Sequence, residues 1–105
     1  MRKKDLVIAQ EFKRRLSSIV QLVDFRVFGS RARGEAGRYS DFDVFIEVES
    51  LTPEQKEQVG DLAWEVGFHH HLVLAPVVFT RDEIENTPVR ASPLVEVVRE
   101  EGICV

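Results

Sequence analysis

Eight consecutive residues, Asp41 to Val48 (DFDVFIEV), alternate in polarity with a period of two, the pattern of a β-strand. Val44, Ile46 and Val48 share one face; Asp41, Asp43, Phe45 and Glu47 share the other. A shorter run at residues 25–28, FRVF, is aromatic and β-branched, follows Asp24 and ends at Gly29, so it reads as the preceding strand. The two strands can be neighbours across the loop 29–40. Such a pairing places GSRARGEAGRYS at one end of a sheet, with two aspartates opening the return strand.

Around this pair the period changes to that of helices. Leu6, Ala9, Phe12, Leu16 and Ile19 recur at steps of three and four, giving an amphipathic helix with Lys and Arg on its other face. Thr52-Pro53-Glu54-Gln55 is a capping box, with Thr52 as N-cap, Pro53 at the first helical position and Gln55 reaching back. Val59, Leu62, Ala63 and Val66 form the buried stripe of that helix, and Gly67 is placed to stop it. HHLVLAPVVF then reads as a third strand, where Pro76 predicts an edge position or a bulge. Thr80-Arg81-Asp82-Glu83 opens a short capped helix; Ser92-Pro93 opens a last one that ends near Gly102. The order predicts an α/β (α+β) fold: one domain over residues 1–105, with a small mixed sheet of three to four strands packed with helices.

Charge narrows the functions available. A net charge of −4 lacks the basic face that binding long nucleic acid usually needs, though it leaves room for a local phosphate site. Cys104 is the only cysteine, so no intramolecular disulfide is possible, and a buried, inert thiol is expected. The apolar run in MRKKDLVIAQEF is too short for a signal-peptide core or a membrane span. A cytoplasmic protein without membrane association is expected.

The loop and the aspartates carry the chemistry. Gly29 ends a strand at a sharp turn and, lacking Cβ, lets a ligand approach the backbone. Ser30 adds a hydroxyl at the start of a helical turn (30–33), where free N–H groups favour an anion. Arg31 and Arg33 bring guanidinium groups suited to phosphate oxygens. Without the aspartates, a solvated basic loop would explain these residues equally well. Asp41 and Asp43 point the same way on a strand, with Cα atoms about 6–7 Å apart, and can close on a hard cation between them. Mg²⁺ suits such a pair, because it takes one or two carboxylates and completes its shell with water and substrate phosphate.

Gly-Ser, ten residues, then Asp-x-Asp at the start of another strand resembles the signature of the DNA polymerase β-like nucleotidyltransferase superfamily. GSRARGEAGRYSDFDVFI resembles in particular the minimal nucleotidyltransferases, antitoxin type included, with Ala32, Arg33, Gly34 and Ser40 also matching. The resemblance implies a polymerase β palm-like fold. It implies that Gly29 and Ser30 hold the triphosphate, with Ser40 part of the same motif and Arg31 and Arg33 as phosphate clamps. Asp41 and Asp43 would be catalytic and would bind Mg²⁺. The reaction implied is transfer of a nucleoside monophosphate, AMP from ATP being the expected case, to a hydroxyl acceptor. The implied partner is an all-helical HEPN-type protein or a second copy of the chain.

One part of the family pattern is missing. A third carboxylate is expected on the following strand, yet no Asp or Glu occurs between Glu65 and Asp82. His71 is the best positional match and can act as a base when neutral; Glu47, on the aspartate face, is the other candidate. His69 and His70 read as a partly exposed strand entrance, and Trp64 as core or interface. Two functions therefore compete: an active nucleotidyltransferase, favoured by Gly29-Ser30 and Asp41-x-Asp43, and a nucleotide-binding subunit acting mainly within a complex, favoured by the histidine. A structural or nucleic-acid-binding domain fits the acidic charge and the aspartate spacing least well.

Overall fold

In the computed structural model, which describes residues 1–105, β1 (Leu22–Phe28) and β2 (Phe42–Val48) pair antiparallel, with Phe28 opposite Asp43. β3 (Leu74–Thr80) runs parallel to β2 on its far side, and β4 (Ile103–Cys104) adds antiparallel to β1. The sheet is thus mixed and four-stranded, in the order β3-β2-β1-β4. Pro76 sits on β3, an edge strand, where its missing N–H leaves no ladder position empty.

The alternation of β2 decides how the sheet is covered. Phe42, Val44, Ile46 and Val48 are each 0 % exposed and pack with Ile8, Phe12 and Leu16 of α1 (Lys3–Leu16) and Val59, Leu62 and Val66 of α3 (Pro53–His69). Burying a side chain of this size contributes about 1.5–3 kcal/mol, so the four together anchor the domain. On the opposite face Phe45 and Phe28 pack with Ile84 of α4 (Arg81–Asn86) and with Val95 and Val98 of α5 (Pro93–Glu101). Asp41 and Asp43 lie at the start of this central strand, where Asp41 is exposed.

Both capping boxes form. The Thr52 hydroxyl accepts from the Gln55 N–H and the Gln55 side chain from the Thr52 N–H; Thr80 and Glu83 repeat the exchange. The first helix ends at Leu16, so Ile19 lies in the following turn, and Ile8 takes a core position beside Ala9. The residues after α5 return to the sheet, since Ile103 and Cys104 pair with β1. That strand lies at the sheet edge and leaves the Cys104 thiol exposed rather than buried.

The largest departure concerns the histidines. His69 is the last residue of α3, His70 is its C-cap, and β3 begins only at Leu74. His71 has φ 58°, the left-handed conformation that closes a helix. Its N–H donates to the Phe68 carbonyl, and the Leu72 N–H donates to the Gly67 carbonyl, the two bonds of a Schellman motif. Gly67 does not stop the helix. It lies within α3, where a Cβ would come within 2.6 Å of the Leu72 carbonyl oxygen, so glycine is needed for the returning chain to pass. His70 faces Glu11 at 3.5 Å, and Trp64 is 69 % exposed, stacked on Phe68 with ring centres 5.1 Å apart.

Candidate active site

The phosphate-type loop folds as a short helix, α2 (Gly29–Arg33), entered directly from β1 and closed by Gly34 in the left-handed region. Gly29 itself has φ +74°, and a Cβ there would lie 2.5 Å from Asp43 Oδ2. The first glycine of the motif and its second aspartate therefore touch, for the reason the register gives: Gly29 follows Phe28, which pairs with Asp43. A side chain at position 29 would need both a disfavoured φ and the space that Asp43 occupies.

Asp41 immediately precedes β2 and is exposed; Asp43 is half-buried. The Asp43 carboxyl is held above its ordinary range, first by burial and then by the Asp41 charge beside it. No Arg, Lys or His lies within ion-pair distance of either carboxylate. Two mutually repelling carboxylates, one of them desolvated and neither compensated, suit a divalent cation. Only two such ligands meet here, as no group of three or more His, Cys, Asp or Glu side chains is arranged to hold a metal. That number fits Mg²⁺, which keeps waters and phosphate oxygens in its shell, better than a closed zinc centre.

The remaining candidates divide. Ser30 stands at the start of α2 beside Gly29, in the position expected of it. The Ser40 hydroxyl accepts from the Gly37 N–H at 2.9 Å and shapes the turn before Asp41. The exposed guanidinium of Arg33 is paired with Glu35 at 3.0 Å and Glu101 at 3.1 Å, pairs that solvent weakens and a phosphate could displace. Arg31 is different: it points inward, 7 % exposed, bonded to Asp5 and to the Ser40 carbonyl. Its guanidinium is committed within the protein, and nothing in the sequence alone pointed to Asp5 as its partner.

Neither substitute for the third carboxylate stands beside the pair. The β2–β3 register places Ala75 opposite Asp43, and the Phe42 N–H bonds to the Val73 carbonyl at 2.8 Å. His71, four residues before Ala75, is in the α3–β3 corner rather than on the strand. Glu47 shares the face of Asp43 but lies four residues along β2, about 13 Å away, with buried Phe45 between them. It belongs to another group: burial and then Asp24 raise its carboxyl, while Arg81 and Arg99 pull it down. Replacing His71 by Gly is therefore expected to raise stability by about 0.5–1 kcal/mol, since glycine adopts a positive φ freely. Transferase activity should be unchanged. Thermal unfolding and initial rates together check this, and loss of activity with a raised melting temperature would make the imidazole functional.

Comparison with known proteins agrees with this geometry. Residues 9–103 match the nucleotidyltransferase domain. The chain belongs to the nucleotidyltransferase family. A Methanocaldococcus jannaschii protein named as a putative protein adenylyltransferase is 32% identical over 89 residues, covering 75% of this chain and 90% of that protein. A crystal structure of a toxin-antitoxin with AMP-PNP shares the fold, with a TM-score of 0.60 and 18% identity over 99% of this chain and 72% of that one. As in any nucleotidyltransferase, chemistry needs a nucleotide and an acceptor brought together. Here the aspartates line none of the concave cavities of the domain. The largest, of about 550 Å³, lies between α3 and β3 among Ala63, Trp64, Phe68, Val73 and Pro76. The cavity is apolar, and neither carboxylate lines it. No helix is long and apolar enough to cross a membrane.

Proposed function

We propose that this nucleotidyltransferase transfers AMP from ATP to a hydroxyl group on a partner protein, with Mg²⁺ held by Asp41 and Asp43. The contact between Gly29 and Asp43 Oδ2 carries the proposal, because it sets the end of β1, where a triphosphate would lie, against the metal-binding carboxylate. Ser30 and the backbone at the start of α2 would hold phosphate oxygens, and Arg33 could exchange Glu35 and Glu101 for the outer phosphates. Bound Mg²⁺ would stabilise the negative charge that develops on the phosphates. The open position of the aspartates leaves the base of the nucleotide and the acceptor uncovered, which suits an acceptor large enough to bring its own surface. The M. jannaschii protein, by its name, acts on proteins, and the toxin-antitoxin structure holds an ATP analogue. Both point to the same substrates. An all-helical HEPN-type partner is the form this proposal takes for the acceptor.

A second reading has one observation behind it. With Ala75 opposite Asp43, no third carboxylate flanks the pair, and deprotonation of the acceptor has no evident base. In that case the domain binds nucleotide and partner without efficient transfer. Incubation with ATP, Mg²⁺ and any co-purifying protein separates the two. Pyrophosphate release with AMP attached to the partner supports transfer; tight Mg²⁺-ATP binding with no pyrophosphate supports the binding subunit.

A further inference from the structure

We propose that Arg31 is a positioning residue that aims Asp41, and that Asp5 holds it in place. The inference rests on the metal-binding role of Asp41 proposed above and assigns new roles to Arg31 and Asp5. Arg31 Nη2 donates to the Ser40 carbonyl at 2.8 Å, while its guanidinium lies 5.7 Å from the centre of the Phe42 ring. Ser40 and Phe42 are the two neighbours of Asp41, so one side chain grips the backbone before the carboxylate and the residue after it. Nη1 donates to Asp5 Oδ1 at 3.2 Å, which ties this grip to α1. Asp5 is 2 % exposed and Arg31 7 %, in a protein whose other ion pairs are on the surface or half-exposed.

A buried pair of this kind is a poor source of stability. Desolvation of two charges offsets most of their attraction, and an apolar pair of similar volume often serves as well. Even here the pair is incompletely satisfied, since Asp5 Oδ2 and Arg31 Nε have no partner. What the pair supplies is direction. Between Gly34 and Asp41 the loop is mostly exposed, and its internal fastening is the Gly37–Ser40 turn. Phe42 is anchored in the core and by its bond to Val73, but on the loop side of Asp41 the Ser40 carbonyl is held by Arg31.

The test uses Mn²⁺ as probe, followed by electron paramagnetic resonance in the absence of nucleotide, alongside steady-state kinetics with ATP. Arg31→Met, with circular dichroism confirming the fold, is expected to weaken Mn²⁺ binding by about tenfold or more, as loss of a group orienting a metal ligand usually does. Arg31→Lys, which keeps the charge and is the milder change, should still weaken binding by more than about twofold, though less than Arg31→Met. The kcat should drop while the KM for ATP stays within about threefold. Amide exchange at Phe42 should quicken, as its bond to Val73 loosens. A phosphate clamp predicts the reverse, a raised KM for ATP with Mn²⁺ affinity intact, and that result overturns the proposal. So does Mn²⁺ affinity within about twofold of wild type in Arg31→Lys, should Arg31→Met fail to fold. If wild type binds Mn²⁺ but transfers nothing, the transferase reading fails while the Mn²⁺ comparison still decides the role of Arg31. If wild type binds no Mn²⁺, both fall.

Discussion

Asp41→Asn combined with Asp43→Asn is expected to abolish Mg²⁺-dependent nucleotide transfer, by at least about a hundredfold, and to make the metal-free protein more stable. The two effects share one cause. Asp43 is raised above the usual carboxylate range by burial and then by Asp41. A carboxyl whose folded pKa exceeds its unfolded value favours folding at low pH. That contribution is lost as pH rises through the folded value, so at neutral pH the charged pair is a liability. Neither side chain donates or accepts a hydrogen bond that an amide would break, and neither has a cationic partner to strand. Asn should therefore raise the melting temperature slightly, by a few degrees at most, because solvent screens a pair this exposed. Mg²⁺ should raise the wild-type melting temperature and leave the double variant where it is. Metal and proton compete for Asp43, so metal affinity should fall as pH drops through the raised range of that group. A double variant less stable than wild type without metal, or still stabilised by Mg²⁺, would show that the pair is not the cation site.

Gly29→Val should be the most damaging single change in the motif. It puts a β-branched residue at φ +74° and drives its Cβ against Asp43 Oδ2. Strain of this kind costs about 1–3 kcal/mol, enough to lower the melting temperature by roughly 10 °C, and displacement of Asp43 should remove metal binding with it. Ser30→Ala, by contrast, should leave the melting temperature nearly unchanged and raise the KM for ATP. Differential scanning calorimetry with an Mn²⁺ titration distinguishes the cases. A Gly29→Val protein with wild-type stability and metal affinity would mean that the loop is not built as described.

The parts of this site readable in the sequence are those set by local period and short spacing. The β2 alternation placed Asp43 on the face away from Val44, Ile46 and Val48, and the strand–Gly-Ser–Asp-x-Asp order brought Gly29 to it. The inward turn of Arg31 was not legible because its partner, Asp5, lies 26 residues away on α1, and a guanidinium suits carboxylate and phosphate equally. The histidines were misread for a different reason. Helices commonly end on a glycine in the left-handed region, and here Gly67 imitates that signal while His71 takes the position. The apolar run after it then drew the strand backwards over His70 and His71, when β3 begins at Leu74. Cys104 belongs to a two-residue strand, too short to show any period.

The central claim is that the aspartate pair serves transfer of a nucleoside monophosphate, so the phosphate that moves is the decisive observable. Purified protein and its co-purifying partner should be incubated with Mg²⁺ and ATP labelled at either the α- or the γ-phosphate. The label should pass to protein from the α position only, and Asp41→Asn with Asp43→Asn should stop it. Transfer from the γ position, or α-transfer undiminished in the double variant, would contradict the account.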